Sequence, residues 1–263
     1  MIKFCSLYSG SSGNAVYLGS EKTKILIDAG LSAKKIIAAL HSIGENPEEL
    51  SAILISHEHG DHIRGAGILS RKFGLPVYAN ESTWEAMERE IGPVESGNRM
   101  YFSTGTEFLI GEICVRAFPV PHDAREPVGF NFFAEEKKIT TATDIGHINM
   151  ELLKCFECSE LLLLESNHDL EMLKVGPYPW PLKRRIMSDV GHLSNEMAGK
   201  VVAYMAGKGT KKFLLGHLSK ENNFPELAYQ TVRSVLHEEA AAYREDITVE
   251  VVLRDKVGKV IEL

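Results

Sequence analysis

Three histidines and one aspartate stand within six positions in the segment SHEHGDH, directly after the apolar run AILI. Imidazole nitrogens bind zinc, manganese and iron, and a carboxylate adds negative charge and a hard oxygen ligand. The spacing H-x-H-x-D-H therefore supplies ligands for two metal ions. The alternative is a histidine-rich surface turn, which the position directly after a predicted buried strand disfavours. The residues concerned are His57, His59, Asp61 and His62.

Three more residues of metal-ligand type each follow a strand-like run further along the chain. They are His122 in PVPHD, Asp144 in TATDIG and His217 in LLGHLS. Taken singly, each has an ordinary structural explanation, because core histidines satisfy hydrogen bonds and aspartate caps helices and turns. Taken in order with the first cluster, they predict one metal centre assembled from several strand ends.

The rest of the sequence predicts the elements that position these residues. Short β-branched runs alternate with amphipathic stretches at both ends of the chain, and antiparallel strands are predicted between residues 107 and 143. One helix is predicted across HIRGAGILSRKFG, closed by Gly74, and the last helix across PELAYQTVRSVLHEEAAAY. Strands throughout with helices at both ends predict an α/β fold, a four-layer αββα sandwich with two sheets between outer helices.

Length and composition limit the class of protein. The 263 residues contain no repeat, low-complexity run or long polar linker, so a single domain over residues 1–263 is expected. The N-terminus is not of the signal type and no long apolar run occurs, which predicts a cytoplasmic protein with no membrane partner. The formal charge of −7 argues against a broad basic surface but leaves nucleic acid open as a substrate. The sequence does not predict the oligomeric state.

The order SHEHGDH, PHD, TDIG and GHLS, with Asp28 earlier in ILIDAG, resembles the metallo-β-lactamase superfamily over essentially the whole chain. The resemblance implies the metallo-β-lactamase fold and two divalent metal ions per chain, with zinc, manganese or iron as the metal. It implies a first ligand set of His57, His59 and His122, and a second of Asp61, His62 and His217. In the same resemblance Asp144 bridges the two metals, and Asp28 orients a ligand or its loop.

Secondary motifs separate the members of this superfamily. Asp144 stands where lactamases carry a cysteine, and His59 stands where the di-iron oxidoreductases carry a glutamate. The motifs SGSSGNA, ESNHD, YPWPLKRRI and GHLSN resemble the YycJ/WalJ-type branch of small bacterial metallohydrolases, which is linked to DNA exonuclease activity. The resemblance therefore implies a metal-dependent phosphodiesterase that hydrolyses nucleic acid, DNA in particular, in which Asp61 orients the attacking hydroxide.

A glutamate and a histidine outside the ligand sets form a second resemblance. Glu165 ends the run LLLLE and His192 stands in a GHLS turn, similar to a proton-donating pair in transfer-RNA 3′-processing endonucleases. The similarity implies that His192 is a general acid held by Glu165. The alternative is that His192 caps the helix beginning near Ser194, although a cap needs only Ser194 or Asn195.

Several features have more than one interpretation. The loop SGSSGNA either cradles a phosphate through backbone N–H groups or is a turn between two strands. The compact basic cluster LKRR either meets a nucleic-acid backbone or is a solvated helix face. His147 and His168 lie near the predicted site and are not needed as ligands. A small-molecule hydrolase, such as a cyclic phosphodiesterase or a glyoxalase-type thioesterase, is the alternative function, and a non-catalytic metal-binding module is a third.

Overall fold

Two seven-stranded sheets form the centre of the computed structural model, which describes residues 1–240 and 247–263. The first sheet contains, in spatial order, β14 (Ile261–Glu262), β1 (Lys3–Tyr8), β2 (Ala15–Gly19), β3 (Lys24–Ile27), β4 (Ala52–Leu54), β5 (Val77–Ala79) and β6 (Arg99–Tyr101). The second contains β13 (Thr248–Val251), β12 (Lys212–Gly216), β11 (Leu161–Glu165), β10 (Lys137–Ala142), β9 (Val128–Ala134), β8 (Ile113–Pro119) and β7 (Glu107–Ile110).

The described residues also form nine α-helices. They are α1 (Ala33–Ser42), α2 (Gly60–Ile63), α3 (Ala66–Phe73), α4 (Glu81–Ile91), α5 (Met150–Phe156), α6 (Leu170–Val175), α7 (Trp180–Ile186), α8 (Asn195–Gly207) and α9 (Pro225–Glu239). Short 3₁₀ turns occupy Pro47–Glu49 and Ser96–Asn98. Among residues 1–240 and 247–263, no helix combines the length and the apolar character needed to cross a membrane.

Apolar side chains cover both faces of each sheet. In β1, Phe4 packs between the two sheets, whereas Cys5 and Leu7 pack against the helices on the outer face, because successive side chains of a strand alternate. The inter-sheet core also contains Val115 and Phe130 of the second sheet. Helices α1, α3 and α4 cover the outer face of the first sheet, and α5, α8 and α9 cover that of the second. The predicted α/β fold, a four-layer αββα sandwich, is confirmed; the single domain over residues 1–263 stays a prediction.

The segment predicted as one helix from residue 62 to residue 74 is instead two helices, α2 and α3. The helix is interrupted at Gly65, whose N–H donates to Ala29 O at 2.7 Å instead of forming the next hydrogen bond of α2. A Cβ at position 65 would lie 2.4 Å from Leu31 O, so this contact requires glycine. The end of α3 is as predicted, since Gly74 has a left-handed φ of 66°. The prediction of one continuous helix was therefore wrong.

Four short elements, β6, α5, α6 and α7, were not predicted from the sequence. Helix α7 contains the basic cluster LKRR, and tertiary contacts hold it in place. Lys183 is buried and its Nζ donates to Lys174 O at 2.7 Å, so the cluster is not simply a solvated face. Arg184 and Arg185 remain exposed. The last predicted helix ends at Glu239, and the part of that prediction at residues 241–243 lies outside the described residues.

Candidate metal centre

The candidate residues leave the carboxyl ends of parallel strands. In the first sheet β3 and β4 are parallel, and Asp28 and His57 follow them. In the second sheet β10, β11 and β12 are parallel, and β8 has the same direction because it and β10 are both antiparallel to β9. This sheet supplies His122 after β8, Asp144 after β10, Glu165 at the end of β11 and His217 after β12. Residues distant in sequence therefore meet at one edge of the sandwich.

Three of these residues have backbone angles that are unusual for a side-chain-bearing residue. The φ angles of Asp28, Asp144 and His217 are 56°, 60° and 56°. Such left-handed conformations cost about 1–3 kcal/mol each and persist only where the surroundings enforce them. The His217 N–H donates to Ser9 Oγ at 2.8 Å and the Asp28 N–H donates to Leu54 O at 2.8 Å. Backbone strain at this strand edge thus coincides with the candidate centre.

The loop that carries SHEHGDH is held against the turn after β3. The Ala29 N–H donates to His62 O at 2.7 Å, and the Asn14 N–H donates to Asp61 O at 2.8 Å. A Cβ at position 30 would lie 1.6 Å from Asp61 O, so Gly30 is required for this close approach. The segment SGSSGNA, which contributes Asn14, is the turn between the antiparallel strands β1 and β2.

Three imidazole nitrogens converge in a first group. His57 Nε2 and His122 Nε2 lie 3.1 Å and 3.3 Å from His59 Nδ1. The second ring nitrogen of His122 donates to Gly191 O at 3.1 Å, which leaves a lone pair on the nitrogen that faces the group. His57 Nδ1 contacts Ser56 Oγ at 3.0 Å. His57, His59 and His122 thus form a possible ligand set.

A second group contains two histidines whose outer nitrogens contact carboxylates. His62 Nδ1 donates to Asp28 Oδ2 at 2.8 Å, and His217 Nδ1 donates to Glu165 Oε1 at 2.7 Å. Their Nε2 atoms each lie 3.8 Å from Asp61 Oδ2. A carboxylate that fixes the outer nitrogen of an imidazole is the arrangement found around metal-binding histidines. Asp61, His62 and His217 thus also form a possible ligand set.

Asp144 lies between the two groups. Its Oδ1 is 3.7 Å from His122 Nε2 in the first group and 3.6 Å from His217 Nε2 in the second, and its Oδ2 is 3.4 Å from His62 Nε2. Among the described residues, neither Asp144 Oδ2 nor His217 Nε2 has a hydrogen-bond partner, although both atoms are buried. Because unpartnered buried polar atoms are costly, the donor set fits divalent cations, which would bind these atoms. The clustered histidines and aspartates indicate divalent metal binding.

His192 lies beside the two groups and contacts Glu165. Its Nδ1 donates to Glu165 Oε1 at 2.8 Å, while Glu165 Oε2 accepts the Ile145 and Leu193 N–H groups at 2.8 and 3.1 Å. Ser194 caps α8 by accepting the Met197 N–H at 3.2 Å, so the side chain of His192 does not serve as the cap. Sequence reasoning paired Glu165 with His192 but missed its second contact, with His217.

The charges at this edge shift the pKa values of several groups in opposite directions. Burial and the neighbouring histidines lower the pKa of His57 well below its ordinary value. Burial also disfavours the charged form of His62, but Asp28, Asp144 and Asp61 outweigh it and raise the pKa of His62 to about 9. Burial disfavours ionised Glu165, yet His192 and His217 hold the pKa of that carboxyl well below its usual range. Such concentrated shifts are typical of functional sites.

Two other histidines near the site are outside both groups. The half-buried His147 contacts Asp189 O through Nδ1 at 2.8 Å. His168 is buried, and its backbone O accepts the Asn195 N–H at 2.9 Å next to the start of α8. Burial lowers the pKa of His168 to about 4. Neither residue belongs to a possible ligand set among the described residues.

Comparison with known proteins identifies long relatives, which align with this chain over most of the length of both proteins. Exodeoxyribonuclease WalJ of Streptococcus pneumoniae serotype 2 (strain D39 / NCTC 7466) is 47% identical over 232 residues, which are 88% of this chain and 86% of that protein. Exodeoxyribonuclease YycJ of Bacillus anthracis is 44% identical over 237 residues, 90% of each chain. The resemblance to the YycJ/WalJ-type branch is thereby confirmed.

Solved structures share the fold at much lower sequence identity. The metallo-β-lactamase fold protein YhfI from Bacillus subtilis aligns with a TM-score of 0.72 at 15% identity, over 98% of this chain and 100% of that one. The short form of human tRNase Z aligns with a TM-score of 0.64 at 18% identity, over 99% and 100%. Residues 23–218 match the family described as the Beta-lactamase superfamily domain. With this match, the two ligand-like groups at the strand ends and the long relatives, the chain belongs to the β-lactamase superfamily.

Proposed function

We propose that this protein is a metal-dependent DNA exonuclease with two divalent metal ions per chain. The observation that carries the proposal is the position of Asp144, whose carboxylate lies within 3.7 Å of imidazole nitrogens from both histidine groups. A carboxylate shared between two ligand sets would hold two metal ions close together, as in the active site of a dinuclear hydrolase. The long relatives, both named exodeoxyribonucleases, support DNA as the substrate and hydrolysis from a chain end as the reaction.

The two ligand sets assign the metals to side chains. His57, His59 and His122 would hold the first, and Asp61, His62 and His217 the second, with Asp144 shared between them. Zinc and manganese suit this mixture of imidazole and carboxylate, and iron is a third candidate. When bound, two such cations offset the negative charge of a phosphodiester and lower the pKa of water.

Two side chains move or hold protons. The carboxylate of Asp61, which is only partly buried, accepts a hydrogen bond from the attacking hydroxide and orients it toward phosphorus. His192 Nδ1 is committed to Glu165, so Nε2 is the atom that faces substrate and protonates the departing oxygen. Glu165 is buried and accepts two backbone hydrogen bonds, which hold its carboxylate in place. The fixed carboxylate in turn sets the orientation of the His192 ring.

The alternative is a small-molecule hydrolase that uses the same residues. The formal charge of −7 is compatible with it, because a small substrate needs no extended basic surface. The long relatives do not favour it, since both are named for action on DNA. We therefore take DNA as the substrate and the cytoplasm as the location.

Substrate comparison tests this proposal. Purified protein loaded with manganese or zinc is given single- and double-stranded DNA, RNA, a cyclic nucleotide, a small diester and a glutathione thioester at equal concentration. We expect the largest kcat/KM on DNA and loss of activity when a chelator removes the metal. A larger kcat/KM on the cyclic nucleotide or the thioester than on DNA would contradict the nuclease assignment and support a small-molecule hydrolase.

A further inference from the structure

A pocket with a volume of about 160 Å³ lies beside His192. This volume is about half of the roughly 300 Å³ at which pockets begin to hold drug-sized ligands. It is therefore too small for several nucleotides and suits the base of one. Its lining includes Ser11, Asn167, Tyr178, Arg185, His192 and Ser219.

The wall of the pocket offers two kinds of contact. Tyr178, just before α7, and Leu182 and Ile186 within α7 supply an aromatic ring and aliphatic surface. Ser11 and Ser219 supply hydroxyl groups. An aromatic face next to a few hydrogen-bonding groups is what a nucleobase and its sugar require.

Arg185 connects this pocket to the metal centre. Its Nε donates to Asp123 Oδ2, and Asp123 Oδ1 lies 3.4 Å from His122 Nε2. An arginine side chain has five N–H donors, and the bond to Asp123 uses one of them. The two terminal nitrogens lie outside that bond, and their planar arrangement suits the oxygens of a phosphate. The hydrogen bond to Asp123 holds the guanidinium group next to the candidate centre.

We propose that this pocket receives the nucleotide that departs from DNA, with its base stacked on Tyr178 and a phosphate oxygen bound by Arg185. The inference rests on the proposed function, because it takes His192 as the proton donor. Since His192 lines the pocket, the oxygen it protonates belongs to the group bound there. Hydroxide oxygen bonds to phosphorus, the bond from phosphorus to the departing oxygen breaks, and the His192 proton completes the new hydroxyl group on the departing nucleotide.

Binding of the departing fragment tests the pocket without any cleavage step. Calorimetry measures the Kd of deoxyadenosine monophosphate and of deoxyribose 5-phosphate, which lacks the base. Tyr178→Ala should weaken the nucleotide by roughly 5- to 150-fold, the worth of one base–aromatic stack, and leave the sugar phosphate unchanged. Tyr178→Phe should restore nucleotide binding, because it keeps the ring. Arg185→Met should weaken both ligands, and Arg185→Lys should rescue poorly because lysine lacks the planar donors.

Two matched controls lie on α7, the helix that contains Arg185 and begins two residues after Tyr178. Trp180 is exposed and Arg184 is exposed, and neither lines the pocket. Trp180→Ala and Arg184→Met should leave both dissociation constants unchanged. If Tyr178→Ala weakens the nucleotide no more than Trp180→Ala does, the base-binding role is overturned. If Arg185→Met and Arg184→Met have equal effects, the phosphate-binding role is overturned.

Turnover separates failure of the pocket from failure of the nuclease. On DNA, Tyr178→Ala should lower kcat/KM, whereas on bis-p-nitrophenyl phosphate, which has no base, it should match the wild-type protein. If the wild-type protein cleaves DNA and Tyr178→Ala has the same kcat/KM as Trp180→Ala, the nucleotide-binding role of the pocket is overturned. The proposed nuclease activity then still stands. A wild-type protein that cleaves the small diester but not DNA overturns the nuclease, and with it the departing-nucleotide assignment.

Discussion

Oε1 of Glu165 accepts a hydrogen bond from Nδ1 of His192 at 2.8 Å. The same oxygen atom accepts a second hydrogen bond from Nδ1 of His217 at 2.7 Å. One buried carboxylate thus joins the proposed proton donor to a proposed metal ligand. A change at Glu165 should therefore disturb two functions, whereas a change at His192 should disturb one.

Glu165→Gln should weaken metal binding as well as catalysis. A glutamine has one acceptor oxygen and one NH2 group, which only donates. In either orientation of the amide, the NH2 group therefore faces the two histidines or the backbone N–H groups of Ile145 and Leu193, and the shared orientation of His217 and His192 is lost. Changes of this kind next to a metal ligand cost roughly 10–100-fold in metal affinity or activity. Elemental analysis after dialysis against a graded chelator should show less metal in Glu165→Gln than in His192→Ala. Equal retention in the two variants would contradict the link between Glu165 and the ligand set.

His192→Ala should retain the fold and both metals while losing roughly 10²–10⁴-fold in turnover on DNA, the usual worth of general acid catalysis. The loss should shrink on bis-p-nitrophenyl phosphate, because nitrophenolate departs without a proton. Melting temperature, metal content and turnover on the two substrates are measured together. Equal losses on both substrates would rule out His192 as the proton donor.

The metal content of the loaded protein should be close to two ions per chain. His62→Ala removes an imidazole from the second ligand set and leaves His57, His59 and His122 intact, so it should lose chiefly one ion. The control is His41→Ala, which changes a histidine on α1 outside every possible ligand set and should keep both. At most one metal ion in a fully active wild-type protein would defeat the assignment.

Gly30→Ala should destabilise the loop that carries the ligands. The new methyl group would lie 1.6 Å from Asp61 O, which only a backbone shift can relieve. Since overpacking alone costs about 1–3 kcal/mol, we expect a loss of at least about 3 kcal/mol in the free energy of unfolding. Gly60→Ala is the matched control, because its Cβ would meet no atom within 4 Å. Equal denaturation midpoints for the two variants would contradict the role of Gly30.

The sequence predicted the layers of the fold and the residues that the structure brings together at the candidate centre, whereas their division into two ligand sets came from the family resemblance and stays a prediction. This was possible because metal ligands come from few residue types, and here each follows a recognisable apolar strand. The Glu165–His217 contact was not predictable in this way. It depends on β11 and β12 being parallel neighbours in a register that places Glu165 opposite Gly216. That pairing is a tertiary fact which no local pattern in either strand records.

Helix boundaries show the same limit. The apolar periodicity of residues 62–74 favours one helix, but the contact of Gly65 with Ala29 O divides it. Helix α7 is too short for a periodic signal, and the bond from Lys183 to Lys174 O helps to hold it. In both cases a contact between two segments that are apart in sequence outweighs the local helix propensity.

Digestion of closed and open DNA tests the central claim most directly. A covalently closed circular single strand and the linear strand of the same sequence are incubated with manganese-loaded protein, and the products are separated by length. A DNA exonuclease should degrade the linear strand to short products from one end, leave the circle intact, and stop when a chelator is added. Cleavage of the circle at a rate equal to that of the linear strand, or no cleavage of either strand with a metal-loaded protein, would contradict the account.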